Sequence, residues 1–339
     1  MARPAVFVTR PLPGDALKLL GRRTDLRVWE DELPPPRDEL LRAAAGCHGL
    51  LTLLTDRVDA ELLKAAPDLV TVSNMATGYD NIDLASASRR RVLVTRTPGV
   101  LSETVADFTF ALLLAAARRV AEADRYVRAG RWKSWGPSLL LGRDVYGATL
   151  GIVGLGGVGS EVAKRARGFG MRLLYHSRTK KPAVEKRYRL TRVSLDQLLR
   201  NSDFVTLHVP LTEATRGMIG RRELRTMKDT AILINTGRGD LVDRAALVDA
   251  LKWRRIGGAA LDVTSPEPLP ADDPLLQFDN VTLAPHIASA SVETRSRMAG
   301  LAVENLLAAL DGRLPRDTVN PKIGTAWRAA RRSRLGDLA

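Results

Sequence analysis

The sequence predicts an α/β protein built from two doubly wound parallel sheets, one inserted within the other. Three observations carry that expectation. Short apolar runs alternate with helical stretches along most of the chain. Thr97-Pro98-Gly99-Val100 breaks the alternation, and a long helical stretch follows at 101–119. An apolar run at 150–153 leads directly into Gly154-x-Gly156-x-x-Gly159 and a new helical pattern.

In order, strands are expected at 6–9, 26–29, 49–54, 70–73 and 92–95, with helices at 14–21, 37–45 and 59–66 between them. Pro34-Pro35-Pro36 is a stiff loop ahead of the second helix. Ser102 is a candidate N-cap for the helix at 101–119, and Arg118 and Arg119 suit its C-terminal end. The inserted sheet takes strands at 150–153, 171–175, 204–209, 231–235, 258–262 and 281–283, with helices at 195–200 and 244–253 among the connections. A return helix is expected at 288–311. Residues 1–100 plus 287–321 then make one flavodoxin-like domain and 101–286 the inserted Rossmann-like domain. Residues 322–339 are expected to be a basic, disordered tail.

Composition limits the function classes. The 339 residues are 45% hydrophobic and 27% charged, as in a soluble globular protein. The longest apolar stretch, 105–117, is interrupted by Asp107 and Thr109 and is too short for a membrane span. No leader is expected ahead of the strand at 6–9. One cysteine, Cys47, permits no internal disulfide and fits a reducing cytoplasm. No Cys/His cluster has metal-ligand spacing, so no metal is expected. The net charge of +14 is spread as arginine over many elements and a tail, without interleaved aromatics. It therefore reads as a solvated surface, and neither nucleic acid nor membrane is an expected partner.

The glycine loop points to a dinucleotide. Gly154 permits the tight turn, Gly156 lets backbone approach a pyrophosphate, and Gly159 lets helix and strand pack closely. A site that accepts NADH ends its second strand with an acidic residue for the ribose 2′-hydroxyl. Here that place reads His176-Ser177-Arg178-Thr179-Lys180-Lys181, with no carboxylate and with cations suited to a 2′-phosphate. NADPH is thus expected as the preferred cofactor, with NADH possible.

Three later residues lie at or just past strand C-termini, the side where ligands bind in such sheets. They are Arg238, Glu267 and His286. Reducing a 2-oxo acid needs a cation for the carboxylate and ketone, which Arg238 offers in bidentate form. It needs a general acid, for which the imidazole of His286 is suited. It also needs a partner that keeps the acid protonated, and Glu267 is placed for that. In the outer domain Thr77 and Gly78, after the strand at 70–73, would offer N–H groups to an anion, although Gly78 could equally be a turn glycine. Trp132 and Trp135 stand outside any periodic pattern and are either packing anchors or interface residues.

These segments resemble the D-2-hydroxyacid dehydrogenase family, and within it the glyoxylate/hydroxypyruvate reductases, over about residues 5–320. The likeness rests on residues 261–270 (LDVTSPEPLP), Ala284-Pro285-His286-Ile287, residues 78–83 (GYDNID) and Asn235-Thr236-Gly237-Arg238-Gly239. The resemblance implies that Arg238, Glu267 and His286 are catalytic. It implies cofactor contacts from Gly154, Leu155, Gly156, Gly157, Val158, Gly159, Ser177, Arg178, Thr179, Pro210, Thr236, Gly237, Asp262 and Ala288. It implies substrate contacts from Leu53, Thr77, Gly78 and Ser289, with Arg238 and His286. It also implies a homodimer through the nucleotide domains, with the Trp132/Trp135 segment reaching toward the partner. Two positions depart from the family pattern: Ala288 replaces a usual glycine, and Thr77 replaces a commoner valine.

The expected reaction is reduction of glyoxylate to glycolate and of hydroxypyruvate to D-glycerate. The alternatives within the family are 2-ketogluconate reductase, D-lactate dehydrogenase and phosphoglycerate dehydrogenase. Formate dehydrogenase is disfavoured, because its chemistry needs no general acid. From another class comes a dinucleotide-sensing corepressor on the same fold.

Overall fold

A computed structural model describes residues 3–336. They fall into two units, residues 3–101 with 291–336, and residues 102–290. Among the described residues, no helix is long and apolar enough to cross a membrane.

The first unit holds strands β1 (Ala5–Val8), β2 (Asp25–Val28), β3 (Gly49–Thr52), β4 (Thr71–Asn74) and β5 (Leu93–Thr95). All pair in parallel in the order β2-β1-β3-β4-β5, the flavodoxin-like arrangement. β1 and β3–β5 are buried along nearly their whole length, as expected of parallel strands covered on both faces, although β4 buries the polar Thr71, Ser73 and Asn74. One face packs on Leu20, Met298, Val303 and Leu306, the other on Leu40, Leu62 and Leu63.

The second unit holds β6 (Thr149–Val153), β7 (Arg172–His176), β8 (Leu190–Arg192), β9 (Phe204–Leu207), β10 (Ile232–Asn235), β11 (Gly258–Leu261) and β12 (Val281–Leu283). Their order, β12-β11-β10-β9-β6-β7-β8, reverses direction between β6 and β9. That switch point is where such a sheet opens a crevice beyond its strand ends. The helix Ser102–Ala117 fills one face with Phe110, Leu112 and Leu113, alongside Val162, Ala163 and Ala166. Leu198, Leu199, Leu224, Leu247 and Leu251 fill the other.

Several expectations change. The helix at 101–119 stops at Ala117, whose carbonyl accepts the N–H of Arg143 at 2.7 Å as the chain passes back across the helix end. Arg119 takes φ 54° and a second helix, Val120–Arg128, begins. The return helix starts at Val292, not at 288, because Ser291 accepts the N–H of Thr294 as its cap. A further strand, β8, follows β7 where no strand is expected.

The tail is not disordered where it is described. Gly324–Leu335 is a helix, because its Trp327, Ala330 and Leu335 fall on one face and are buried. Trp327 is fully enclosed, and its indole N–H donates to the carbonyl of Val70 at 3.1 Å. Arg334 donates to the carbonyls of Leu69 and Arg90. Residues 337–339 of the expected tail lie outside the described residues.

Candidate active site

At the end of β6 the chain turns at Gly154, whose N–H donates to the carbonyl of His176 at 2.8 Å. Gly154 has φ 97°, and a Cβ there would stand 2.7 Å from the backbone of His208 at the end of β9. Both facts demand glycine. A Cβ on Gly159 would stand 2.1 Å from the carbonyl oxygen of Gly154, so the helix Gly157–Gly168 starts in direct contact with the turn. Gly156 differs: nothing lies within 4 Å of its would-be Cβ. Leu155 is buried and Val158 half-buried, while Gly156 and Gly157 are exposed. Among the described residues, no side chain caps the helix. An open glycine before an uncapped helix N-terminus is a cradle of N–H groups that fits a pyrophosphate.

Beyond β7 lies the loop with Ser177, Arg178 and Thr179. Arg178 and Thr179 are exposed and Ser177 is half-buried. The hydroxyl of Ser177 donates to the carbonyl of Thr179 at 2.6 Å, so its proton is used within the loop. Pro210 is exposed after β9, its carbonyl accepting from the hydroxyl of Thr215 at 2.7 Å.

The loop after β10 carries Arg238. Asn235, the last residue of β10, accepts the N–H of Gly237 at 3.0 Å and donates to the carbonyl of Arg238 at 2.8 Å, closing a tight turn. Arg238 is half-buried and donates to the carbonyl of Gly237 at 2.9 Å. The hydroxyls of Thr236 and Thr109 meet at 3.0 Å, tying this loop to the helix Ser102–Ala117. A Cβ on Gly239 would sit 2.0 Å from the carbonyl oxygen of Thr264, and Ser265 hydrogen-bonds Asp240. The Arg238 loop and the Glu267 loop therefore pack directly on one another at Gly239 and are bridged by the side chains of Ser265 and Asp240.

Glu267 follows β11 and His286 follows β12, which pair as neighbours. Glu267 Oε1 lies 2.5 Å from His286 Nδ1. The two side chains are 35% and 20% exposed, so the pair is sheltered yet reachable. His286 has φ 56°, a left-handed conformation that is uncommon for a non-glycine residue. Asp262 holds it there. Its carbonyl accepts the N–H of His286 at 2.8 Å, and its carboxylate oxygens accept those of Ile287 and Ala288, each at 2.8 Å. Asp262 is 1% exposed, and both of its oxygens are engaged in fixing the histidine loop. Ala288 is buried and Ser289 half-buried beside it.

The structure thus brings Arg238, Glu267 and His286 onto three connected loops at the C-terminal ends of β10, β11 and β12. The positioning roles of Asn235, Asp240 and Ser265 are not among the sequence expectations. Asn235 had a local signal, since its side chain closes a turn on residues two and three positions ahead, whereas Asp240 and Ser265 meet only across the chain.

In the first unit, Leu53, Thr77 and Gly78 lie on the loops after β3 and β4. Asn81 donates to the carbonyls of Leu53 at 3.0 Å and Asp56 at 2.9 Å, while Asn74 donates to the carbonyl of Gly78 at 3.0 Å. The N–H of Leu53 donates to the Asp56 carboxylate at 2.7 Å. Burial raises the Asp56 carboxyl above its ordinary range, opposed by bonds from Leu53 and Thr9 and by the charge of Arg10. Thr77 turns its hydroxyl to the carbonyl of Thr97 at 3.1 Å.

Residues 110–288 match the D-isomer specific 2-hydroxyacid dehydrogenase, NAD binding domain, family. The chain is 54% identical over 322 residues to a glyoxylate reductase of Korarchaeum cryptofilum, covering 95% of this chain and 97% of the relative. A solved protein of Thermus thermophilus is 50% identical with a TM-score of 0.87, covering 93% and 99% of the two chains. A solved NADPH-dependent glyoxylate/hydroxypyruvate reductase of Sinorhizobium meliloti is 34% identical with a TM-score of 0.80, covering 94% and 98%.

Proposed function

The chain belongs to the D-isomer specific 2-hydroxyacid dehydrogenase family, and from that premise we propose that it reduces glyoxylate to glycolate and hydroxypyruvate to D-glycerate, with NADPH as preferred cofactor. The observation that carries the reading is the 2.5 Å contact between Glu267 and His286, on loops joined to that of Arg238.

A bound nicotinamide supplies the hydride for the carbonyl carbon. Gly154, Gly156, Gly157 and Gly159, with the backbone of Leu155 and Val158, would hold the dinucleotide's phosphates at the helix N-terminus. Thr236, Gly237, Pro210, Asp262 and Ala288 would border it, Asp262 through the loop that it fixes. Arg238 pairs with the substrate carboxylate and polarises the ketone. His286 presents Nε2, since Nδ1 is on Glu267, and gives its proton to the carbonyl oxygen as the alkoxide forms. Glu267 holds the ring's orientation and tautomer. Ser289, next to Ala288, is a further candidate substrate contact of the second unit; in the first unit, Thr77 and Gly78 offer backbone N–H groups suited to an anion, with Leu53 nearby on the loop after β3.

The preference for NADPH is supported by the loop Ser177–Arg178–Thr179, which holds a cation and no carboxylate. The naming of the Sinorhizobium meliloti relative as NADPH-dependent agrees with it. The reading includes a homodimer through the nucleotide-binding units. Trp132 and Trp135, 58% and 80% exposed, support it, because aromatics of this kind are enriched at interfaces. Light scattering that gave a monomer's mass would remove the dimer.

The test is purified protein with NADPH and a panel of 2-oxo acids, followed by cofactor absorbance. Glyoxylate and hydroxypyruvate should have the highest kcat/KM. Turnover confined to 2-ketogluconate, pyruvate or phosphohydroxypyruvate would move the assignment within the family. Binding of NADPH without turnover of any acid would favour the corepressor reading.

A further inference from the structure

The loop after β7 is anchored from outside at both ends. Arg192, the last residue of β8, donates from one guanidinium nitrogen to the carbonyls of Ser177 at 3.0 Å and Arg178 at 3.1 Å. At the far end, Tyr175 is fully buried, and its hydroxyl accepts the N–H of Lys181 at 3.1 Å and hydrogen-bonds Glu185. In a trans peptide the C=O and N–H point in opposite directions. Fixing the carbonyls of Ser177 and Arg178 on Arg192 therefore turns the N–H groups of Arg178 and Thr179 to the opposite side. Two successive N–H groups on one side form a small anion-binding concavity, next to a residue that is itself a cation.

We propose that Arg192, with Tyr175, is a specificity-determining positioning residue, which sets this loop to receive a 2′-phosphate on the adenosine ribose. The inference rests on the NADPH reading and extends it to residues that do not touch the phosphate. Carbonyl oxygens turned toward the phosphate would repel it, and Arg192 holds two of them away. Because Arg192 sits on the carbonyl side, its effect comes through loop geometry rather than direct contact.

The experiment is calorimetric titration of the full-length protein with 2′,5′-ADP and with 5′-AMP, for wild type, Arg192→Met and Tyr175→Phe. Methionine keeps an apolar stem but removes the donors, and phenylalanine removes one hydroxyl without changing charge. Wild type should prefer 2′,5′-ADP. Arg192→Met should weaken 2′,5′-ADP about tenfold, on the scale of hydrogen bonds from a charged group, with 5′-AMP nearly unchanged. Tyr175→Phe should shift the ratio the same way by about threefold. A ratio unchanged in Arg192→Met, or equal weakening of both nucleotides, overturns the role of Arg192 and leaves the NADPH reading standing. An effect in Arg192→Met with none in Tyr175→Phe would assign it to charge and overturn positioning. Equal binding of both nucleotides by wild type would overturn the NADPH reading and this inference together.

Discussion

Asp262 and His286 are joined through backbone: the carbonyl of Asp262 accepts the N–H of His286, while the Asp262 carboxylate grips the next two N–H groups. A buried acid thereby holds the histidine in a left-handed conformation that presents its ring to Glu267. The acid's charge is spent on two N–H bonds, each of the charge-assisted kind.

Asp262→Asn should therefore impair catalysis through geometry. One amide NH₂ would face a backbone N–H, at a cost of about 1–3 kcal/mol for the lost buried acceptor. Turnover should fall about tenfold or more while the protein stays folded. Steady-state kinetics beside circular dichroism would check this, and wild-type turnover would contradict the role.

Arg238→Lys should mainly raise KM for the 2-oxo acid. Lysine keeps the charge but lacks the planar fork that grips a carboxylate in two places. An increase of about tenfold in KM with a smaller change in kcat is expected. An unchanged KM would remove Arg238 from carboxylate binding.

His208 carries a prediction about pH. Desolvation pushes its imidazole from the ordinary 6.5 down to about 3, and its Nε2 meets the hydroxyl of Thr206 at 2.9 Å. Between those values the unfolded chain binds a proton that the folded chain refuses. The stabilisation is thus complete above the unfolded value and is lost as pH falls toward the folded one, by up to about 1.4 kcal/mol per pH unit. His208→Gln should flatten that loss, seen as urea midpoints that differ less between about pH 7 and about pH 5 than in wild type. Equal differences in the two proteins would contradict the assignment.

Trp327→Ala should cost the first unit about 3–5 kcal/mol, as expected for removing a fully buried aromatic. It also orphans the carbonyl of Val70. Thermal melting should show a lowered Tm while NADPH affinity is retained. An unchanged Tm would mean that the C-terminal helix adds nothing to the fold.

What could be read from the chain follows from where each constraint lies. Gly154 and Gly159 were legible because backbone crowding leaves only glycine there, and the surrounding strand–helix pattern is local. Arg238, Glu267 and His286 were legible as chemistry at strand ends, although nothing in their spacing states the contact between Glu267 and His286. Arg192 was hidden, because it acts by bonding to carbonyls fourteen and fifteen residues away whose position only the fold determines. The C-terminal helix was masked by its own charge: Arg328, Arg331, Arg332 and Arg334 dominate the segment, and the buried face of Trp327, Ala330 and Leu335 is narrow. β8 was missed because three residues with one buried position give no period to detect.

His286, held by Glu267, is the proposed proton donor. The most direct test of that role is the turnover of glyoxylate by His286→Ala, measured together with the Kd for NADPH by fluorescence. If His286 is the donor, kcat should fall about 10²–10⁴-fold with the Kd changed less than about twofold. Turnover close to that of the unaltered protein would contradict it.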